Sequence, residues 1–353
     1  IISDKIIAYN EFIINFDKYK DLSNRKVYYM ISNHNSKEVI DNITWICKSK
    51  KIHIIPPKLT PKQIKEKILE DMFPGFKKER NAITFFGSDS KVGTTMTGQA
   101  VAETLAKNTN AKICFIPLNG YRGTEYIKDN LKLGIDNLKV KLINNILSKE
   151  EIISNCIERN NLYILPGISS ILDVRQYHPE HIERLINLAA QSFNVVIVDA
   201  GSCKGIDFSG GMTIAALNAS RHTYFITTQQ RVPYELYDKV KAQILDFLQI
   251  KTESFYLVAN KYLSADRISS AEQLSKQYNM TLAACITGLD YNGWESEFDN
   301  STLIGKDANY DMEIDQLARL IASQLEIKYS DREEKKSLIG NLFGRERRKL
   351  WKK

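Results

Sequence analysis

Short runs of apolar, mostly β-branched or aromatic residues alternate with stretches of helical periodicity along most of the chain. Between residues 81 and 327 this pattern predicts buried strands at residues 83–86, 111–116, 162–165, 195–198, 222–227, 254–259 and 282–286. Helices are predicted between them, for example over residues 181–191 and 234–248. Strands that alternate with helices form a mostly parallel sheet covered on both faces, so we predict a doubly wound α/β domain.

The first 76 residues show the same alternation on a smaller scale. The predicted elements are a strand over 27–31, a helix over 37–50, a strand over 52–55 and a helix over 60–72. One face of the first of these helices collects the apolar side chains of Val39, Ile40, Ile43, Ile46 and Cys47. Residues 73–80 have the composition of a linker. We therefore predict an α/β domain over residues 1–76, a larger α/β domain over 77–330 and a tail over 331–353.

Residues 81–107 combine a buried strand, a glycine-containing turn and the start of a helix. The turn runs from Gly87 to Gly93 and is followed by Thr94 and Thr95. Backbone N–H groups at the start of a helix favour a bound anion, and a Thr hydroxyl just inside the helix reaches Mg²⁺. Glycines allow positive φ angles and a close approach of the backbone to phosphate oxygens. The stretch therefore predicts a phosphate-binding loop.

The loop departs from the common G-K-[ST] ending, because it reads Gly93-Thr94-Thr95 and lacks the lysine that reaches the β- and γ-phosphates. Within the loop only Lys91 is cationic. From the pattern alone, a strand–helix turn without a ligand is as good an interpretation as a phosphate cradle. The rest of the chain decides between the two.

Polar residues also follow other predicted strands. Asp199 ends a run of four apolar, β-branched residues, the pattern of a buried strand that delivers a carboxylate to a metal-bound phosphate. Asn260 ends another strand, and its amide can pair with the edge of a purine ring. Asn119 follows a third; an amide there positions a water but takes no proton at neutral pH. A helix N-cap or a turn explains each residue alone, so it is their expected convergence on one crevice that predicts a site.

The composition is that of an ordinary globular protein of 353 residues, 43% of them hydrophobic and 26% charged. No run of 18 apolar residues occurs, so no transmembrane helix is predicted. The five cysteines have no C-x-x-C spacing and predict reduced, mostly buried thiols in a cytosolic protein. His178 and His181, in the sequence HPEH, predict a helix N-terminal turn rather than a metal site.

The net charge of +7 is concentrated in the tail. Residues 331–353 hold nine Lys and Arg against four Asp and Glu, a local charge of +5 that leaves +2 for the other 330 residues. This balance argues against nucleic-acid binding by the body of the protein. Within the tail, apolar residues recur at helical spacing between basic ones, the composition of an interfacial membrane helix. Gly340 and Gly344 weaken that helix, so a disordered or partner-docking tail is an equally good interpretation.

With its motifs in this order, the chain resembles the ParA/MinD class of P-loop ATPases with a deviant Walker A motif. More narrowly it is similar to the TadZ/CpaE group, pilus-assembly proteins of bacterial tight-adherence systems. The narrower resemblance rests on Val92-Gly93-Thr94-Thr95, on LYILP at residues 162–166, on residues 193–199 with Gly201, and on Asn260. It covers residues 81–327.

The same group is known for an N-terminal receiver-like domain, and residues 1–76 match the last part of one, whose first part would precede Ile1. An acidic pair with a phosphoacceptor aspartate is not found in these residues, so phosphorylation is not expected.

The resemblance implies that ATP and Mg²⁺ are the cofactors. The triphosphate would bind the loop formed by Gly87, Ser88, Asp89, Ser90, Lys91, Val92, Gly93, Thr94 and Thr95. Thr95 and Asp199 would be the Mg²⁺ ligands, and Asn260 with Lys261 would contact the adenine. Asn119 and Asp199 would be the catalytic residues.

Several departures from the family bear on activity. The family's signature lysine falls at Asp89 and its second loop lysine at Thr94, while the catalytic-type aspartates of ParA and MinD fall at Pro117 and Asn119. The loss of these charges removes transition-state stabilisation from phosphoryl transfer. Binding loses less, because backbone N–H groups and Mg²⁺ remain. The resemblance therefore implies ATP binding with slow or absent hydrolysis.

The implied function is a homodimeric localisation and assembly hub of a tight-adherence (Flp) pilus or secretion system, which recruits the other components. It would lie in the cytoplasm, at the cell pole or at the inner face of the membrane. The tail, which resembles the membrane helix of MinD, would contact that membrane. Three other interpretations stay open: an active ParA/MinD-type ATPase that positions cargo, a receiver-type signalling regulator and a nucleotide-free scaffold.

Overall fold

The computed structural model describes residues 1–16, 26–31, 37–50, 52–55, 64, 68–69, 72, 81–119, 126–127 and 133–330. The chain divides into two compact units, Ile1–Lys78 and Glu79–Lys353. The helix predicted over 60–72 lies mostly outside the described residues, and the predicted linker 73–80 and tail 331–353 lie entirely outside them.

In its described part, the smaller unit contains three parallel strands and two helices. They are β1 (Ile2–Ser3), α1 (Tyr9–Ile14), β2 (Tyr28–Met30), α2 (Lys37–Ser49) and β3 (His53–Ile55). The strands predicted over 27–31 and 52–55 and the helix predicted over 37–50 are thereby confirmed. Of the residues on the predicted apolar face of α2, Ile43 and Cys47 are buried and Val39 is 44% exposed.

The described part of the larger unit contains an eight-stranded sheet. Its strands are β4 (Ala82–Gly87), β5 (Ile113–Pro117), β6 (Ile157–Arg159), β7 (Leu162–Ile164), β8 (Val195–Ser202), β9 (His222–Thr227), β10 (Tyr256–Tyr262) and β11 (Thr281–Thr287). Their spatial order is β11-β10-β9-β4-β8-β5-β7-β6, and neighbours are parallel except for β6 and β7. The predicted strands are confirmed to within a few residues at their ends. Only β6, an antiparallel strand at one edge, has no counterpart in the prediction.

Helices cover both faces of this sheet, which confirms the doubly wound α/β fold. They are α3 (Thr94–Asn108), α4 (Ile135–Ile143), α5 (Lys149–Ser154), α6 (Ile171–Val174), α7 (Pro179–Ser192), α8 (Ile206–Ala219), α9 (Arg231–Val240), α10 (Ala271–Tyr278), α11 (Asp290–Asp299) and α12 (Ala308–Gln324). Alternate side chains of β4 enter different layers, because successive residues of a strand face opposite sides. Phe86 packs in the layer of α7 and α8, and Phe85 in the layer of α3 and α12.

Two helix predictions are refined by the structure. Helix α7 begins at Pro179, and the backbone N–H of His178 donates to Nδ1 of His181 at 3.2 Å, which confirms the helix N-terminal turn predicted for HPEH. The helix predicted over 234–248 ends as an α-helix at Val240 and continues as a π-helical turn over Lys241–Leu245. Among the described residues, none of the helices has both the length and the apolar character needed to cross a membrane.

A cavity of about 840 Å³ lies beside the C-terminal half of α3. Its lining includes Lys107 and Asn110, the β6–β7 turn, and the residues Asn300, Ser301 and Thr302 that follow α11. The carboxylate of Glu103 in its wall accepts hydrogen bonds from Nε2 of Gln99 (3.1 Å) and Oγ1 of Thr302 (2.5 Å). Burial raises the pKa of Glu103 above its ordinary value, although both hydrogen bonds oppose the shift.

The substitution Glu103→Gln is expected to change how stability depends on pH. A carboxyl whose pKa is raised by folding stabilises the folded state fully below its unfolded pKa of about 4.3, and loses that contribution as the pH rises through the folded pKa. The unmodified chain should therefore gain free energy of unfolding relative to the Gln variant as the pH falls from neutral. Urea unfolding at a series of pH values measures this, with the exposed Glu253→Gln as the matched control. A stability difference that stays constant with pH would contradict the prediction.

Candidate nucleotide-binding site

The predicted phosphate loop connects β4, at the centre of the sheet, to the first turn of α3. Gly93 is the N-cap of α3 and has a φ of 93°, a left-handed conformation that favours glycine. Gly87 does not have a positive φ, so left-handed backbone is not what requires a glycine there. Its absent side chain serves a different purpose, since a Cβ there would lie 2.3 Å from Oγ1 of Thr94. The side chain of Thr94 therefore folds back over the start of the loop.

The predicted metal ligands come together at the carboxyl end of β8. Oγ1 of Thr95 donates to Oδ2 of Asp199 at 2.5 Å, and Asp199 is fully buried. The same carboxylate accepts the backbone N–H of Gly201 at 3.0 Å and a long contact from Nδ2 of Asn119 at 3.5 Å. β8 lies directly between β4 and β5, so the sheet order places these three strand ends side by side. Two oxygen groups suited to Mg²⁺ thus bond to each other directly beside the loop.

Asn260, predicted to contact the adenine, lies against the loop from the other side. It is buried in β10, and its Nδ2 donates to the backbone carbonyl of Val92 at 2.7 Å. A Cβ on Gly93 would lie 2.1 Å from this nitrogen, so the two residues fit only because one is glycine. Nδ2 carries two hydrogens, of which this bond uses one. The contact shows that Asn260 supports the loop; its role toward a base stays a prediction.

The start of the loop is held by a row of buried hydroxyl groups. Oγ of Ser88 donates to Oγ1 of Thr227 at 2.9 Å, which in turn bonds the hydroxyl of Tyr278 at 2.7 Å. The backbone N–H of Ser88 donates to the carbonyl of Ile226 at 2.8 Å. Thr227 and Tyr278 were not predicted as site residues. Thr227 ends a predicted strand next to β4, and that position is the signal in the sequence that could have identified it.

The charged residues of the loop lie at its tip. Oδ1 of Asp89 accepts the backbone N–H of Ser90 at 2.6 Å, so the carboxylate caps the turn. Burial, and secondarily the charge of Asp89, raises the pKa of the Cys203 thiol, which is one of four buried cysteines among the five free thiols. Lys91 is exposed and has a φ of 62°. The prediction that the cysteines are mostly buried is confirmed.

Lys261, the last of the predicted binding residues, directly follows Asn260 at an irregularity in β10. It is exposed and has a φ of 51°, and the pairing register with β11 shifts at this point. Cα of Lys261 also lies within 3.2 Å of the position a Cβ on Gly288 would take. The end of β10 and the loop after β11 are therefore in close contact beside Asn260.

These residues fit a nucleotide bound with Mg²⁺. A glycine with left-handed backbone caps the helix behind the loop, so backbone N–H groups at the start of α3 are available to an anion. A hydroxyl and a carboxylate are the donor types that Mg²⁺ takes together with phosphate oxygens and water. What the site lacks is a lysine at the positions of Asp89 and Thr94.

No family model and no curated protein matches the sequence of this chain. Solved structures do resemble it. A ParA family ATPase from Chlorobium tepidum TLS has 14% identity and a TM-score of 0.56, over 68% of this chain and 99% of that one. The septum site-determining protein MinD from Pyrococcus horikoshii OT3, complexed with Mg-ADP, also has 14% identity and a TM-score of 0.56, over 69% and 96%. The cell division ATPase MinD from Pyrococcus furiosus has 15% identity and a TM-score of 0.55, over 69% and 99%.

At these identities the similarity concerns the fold. In the larger unit, the central strand, the loop and α3 follow one another as a P-loop requires. The chain therefore has the α/β fold of the ParA/MinD class of P-loop ATPases.

Proposed function

We propose that this protein binds ATP with Mg²⁺ at the loop of residues 87–95 and hydrolyses it slowly or not at all. The observation that carries the proposal is the hydrogen bond between Thr95 and the buried Asp199, at the first turn of the helix that Gly93 caps. Thr95 and Asp199 would hold the metal ion, and the loop backbone would hold the phosphates. Asn260 and Lys261 would lie toward the base. When bound, Mg²⁺ would neutralise phosphate charge.

Slow hydrolysis follows from which groups surround the phosphates. Thr94 bends over Gly87 rather than extending a positive charge, and Asp89 adds a negative charge at the loop tip. Asn119, at the end of β5, contacts Asp199 through an amide that can orient a water but accepts no proton. Removal of one charge-stabilising donor from an active site commonly costs about 100- to 1,000-fold in rate. Several such losses together leave binding as the main activity of the site.

At the level of the cell, we infer that the protein is a localisation and assembly hub of a tight-adherence (Flp) pilus or secretion system. The support is the resemblance to the TadZ/CpaE group together with the ParA/MinD fold of the larger unit. In this proposal residues 1–76 are a receiver-like domain, residues 77–330 bind ATP and form a homodimer, and the remaining components of the machine are the partners. Its place is the cytoplasm, at the pole or at the inner face of the membrane.

The first test is a calorimetric titration of Mg-ATP into the full chain, with phosphate release followed in parallel. We expect micromolar binding and little release. A double variant, Asp89→Lys with Thr94→Lys, restores positive charge at both family lysine positions. It should raise phosphate release by about 10- to 100-fold, because each lysine stabilises charge that develops on the transferred phosphoryl group.

The matched control is Glu253→Lys, which adds positive charge just before the N-terminal end of β10. The loop lies at the opposite, C-terminal ends of the parallel strands. The Glu253→Lys variant should change neither binding nor release. Absence of any ATP binding by the unmodified chain would refute the proposal and make the loop a structural turn. Brisk release by the unmodified chain would show that the substituted positions do not limit hydrolysis.

A further inference from the structure

Helix α11 carries an exposed aromatic face that no part of the described chain covers. Tyr291, Trp294 and Phe298 are spaced three and four residues apart, so they lie on one side of the helix. Their exposed fractions are 75%, 73% and 89%. The opposite side is anchored by Ser296, which is fully buried. Single exposed apolar residues are common, but a contiguous row of three large aromatic rings marks a contact surface.

Acidic side chains border this aromatic face. Glu297 is exposed on one flank, while Glu295 and Asp299 lie on the other, where Nζ of Lys306 contacts them at 3.2 and 3.5 Å. Negative charge around an apolar surface disfavours anionic lipid and nucleic acid, which carry the same sign. The occupant that fits is an amphipathic segment with apolar side chains and a basic border.

The chain itself contains such a segment at residues 335–353, outside the described residues. Its large apolar side chains are Leu338, Ile339, Leu342, Phe343, Leu350 and Trp351. Around them stand eight Lys and Arg against one Glu, a net charge of +7 from eight minus one. The segment and the face of α11 are therefore complementary in both polarity and charge.

The chain leaves the described residues close to α11. Ser330 donates from its backbone N–H and from its hydroxyl to the carbonyl of Asn108, at 2.9 and 2.7 Å. Lys107, next to Asn108, lines the same cavity as Asn300, the residue that ends α11. Residues 331–334 can span up to about 14 Å when extended, and the ten residues of α11 are about 15 Å long. Residues 335–353 can thus reach the aromatic face of α11 in the same chain.

We propose that residues 335–353 dock on the aromatic face of α11 in the same chain. The contact buries Trp294 and its aromatic neighbours against the apolar side chains of the segment, while the Lys and Arg residues approach Glu295, Glu297 and Asp299. A short tether supplies a millimolar effective concentration, so even a weak contact is populated. The docked segment is then withheld from lipid and from other proteins.

The test uses the full chain with Trp294 as its only tryptophan, through Trp45→Phe and Trp351→Phe. If the segment docks, Trp294 emits at a shorter wavelength and is quenched less by acrylamide than a tryptophan that is 73% exposed to solvent. Adding Leu342→Asp and Phe343→Asp should undock the segment, shift the emission to longer wavelength and raise the quenching constant by about twofold, since water regains access to the ring. The matched control is Ser337→Asp with Asn341→Asp, which adds the same charge and keeps the apolar side chains.

Equal emission and quenching in all three proteins would overturn the proposal. Two specific results would replace it with another occupant. A protection of Trp294 that grows with protein concentration and persists in the Leu342→Asp, Phe343→Asp variant would assign the face to a second copy of the chain. The segment would be assigned to the membrane by a different set of results. The full chain would float with vesicles of anionic lipid, the Leu342→Asp, Phe343→Asp variant would not, and Trp294 would stay unprotected in buffer.

Discussion

The substitution Asp199→Asn is expected to leave the fold intact and to weaken Mg-ATP binding by about 10- to 100-fold. The amide keeps the shape of the carboxylate: its oxygen, in the place of Oδ1, can accept from the backbone of Gly201, and its nitrogen, in the place of Oδ2, can donate to the hydroxyl oxygen of Thr95. It removes the negative charge that a magnesium ion beside the loop would meet, and Mg²⁺ depends on carboxylate oxygens. Calorimetric titration at fixed Mg²⁺ measures the affinity, and thermal unfolding without nucleotide checks the fold.

The matched control is Asp246→Asn, which removes the same charge from an ion pair with Lys241 away from the loop. It should bind Mg-ATP as the unmodified chain does. Sedimentation velocity with and without Mg-ATP extends the experiment to the proposed homodimer: a dimer that forms on nucleotide addition should be lost in Asp199→Asn alone. Equal affinity of both variants for Mg-ATP would show that Asp199 is no part of a metal site.

The substitution Gly93→Ala is expected to be the most damaging change of a single methyl group in the loop. An alanine at a φ of 93° costs about 1–2 kcal/mol in backbone strain. Its Cβ would also lie 2.1 Å from Nδ2 of Asn260, which must then give up its bond to the carbonyl of Val92, at a further cost of about 1–3 kcal/mol. We expect the free energy of unfolding to fall by about 2–5 kcal/mol and Mg-ATP binding to be lost.

Urea unfolding and calorimetry together measure this effect, and Gly293→Ala provides the control. Gly293 lies within α11, and a Cβ there would meet no atom within 4 Å. Since alanine is the better helix former by about 1 kcal/mol, the control should be neutral or stabilising. If Gly93→Ala unfolds at the same urea concentration as the unmodified chain, the loop does not have the rigid arrangement described above.

Most strands of the larger unit could be predicted from the sequence, because buried parallel strands are continuous apolar runs. The run before Asp199 is one such case, although β8 continues to Ser202 since Ser202 still pairs with Gly87. The three residues of β6 carry no such signal: Ile157 is followed by two charged residues, and only pairing with β7 makes them a strand. Periodicity likewise could not predict where α9 gives way to a π-helical turn, because the two helical forms have similar spacing over five residues.

The candidate site was predictable in its parts but not in its internal contacts. The order of strand, loop, Thr95 and Asp199 could be read from the chain, and the structure brings these residues together. The bond from Asn260 to the loop could not, because it joins residues 168 positions apart and depends on the order of strands in the sheet. The bend of Thr94 over Gly87 could not be predicted from the sequence either, because a side-chain direction follows from local packing rather than from a motif.

The short antiparallel strand β6 also determines how the sheet ends at one side. An edge strand exposes unpaired backbone groups, and a long, apolar edge invites strands of other molecules and hence aggregation. Here the edge is only three residues long, and Glu158 and Arg159 are exposed on it. A foreign strand would find few backbone partners and would have to approach these charges. The protein thereby lowers its own tendency to form fibrous or amorphous aggregates through this edge, at concentrations where a longer apolar strand would nucleate them.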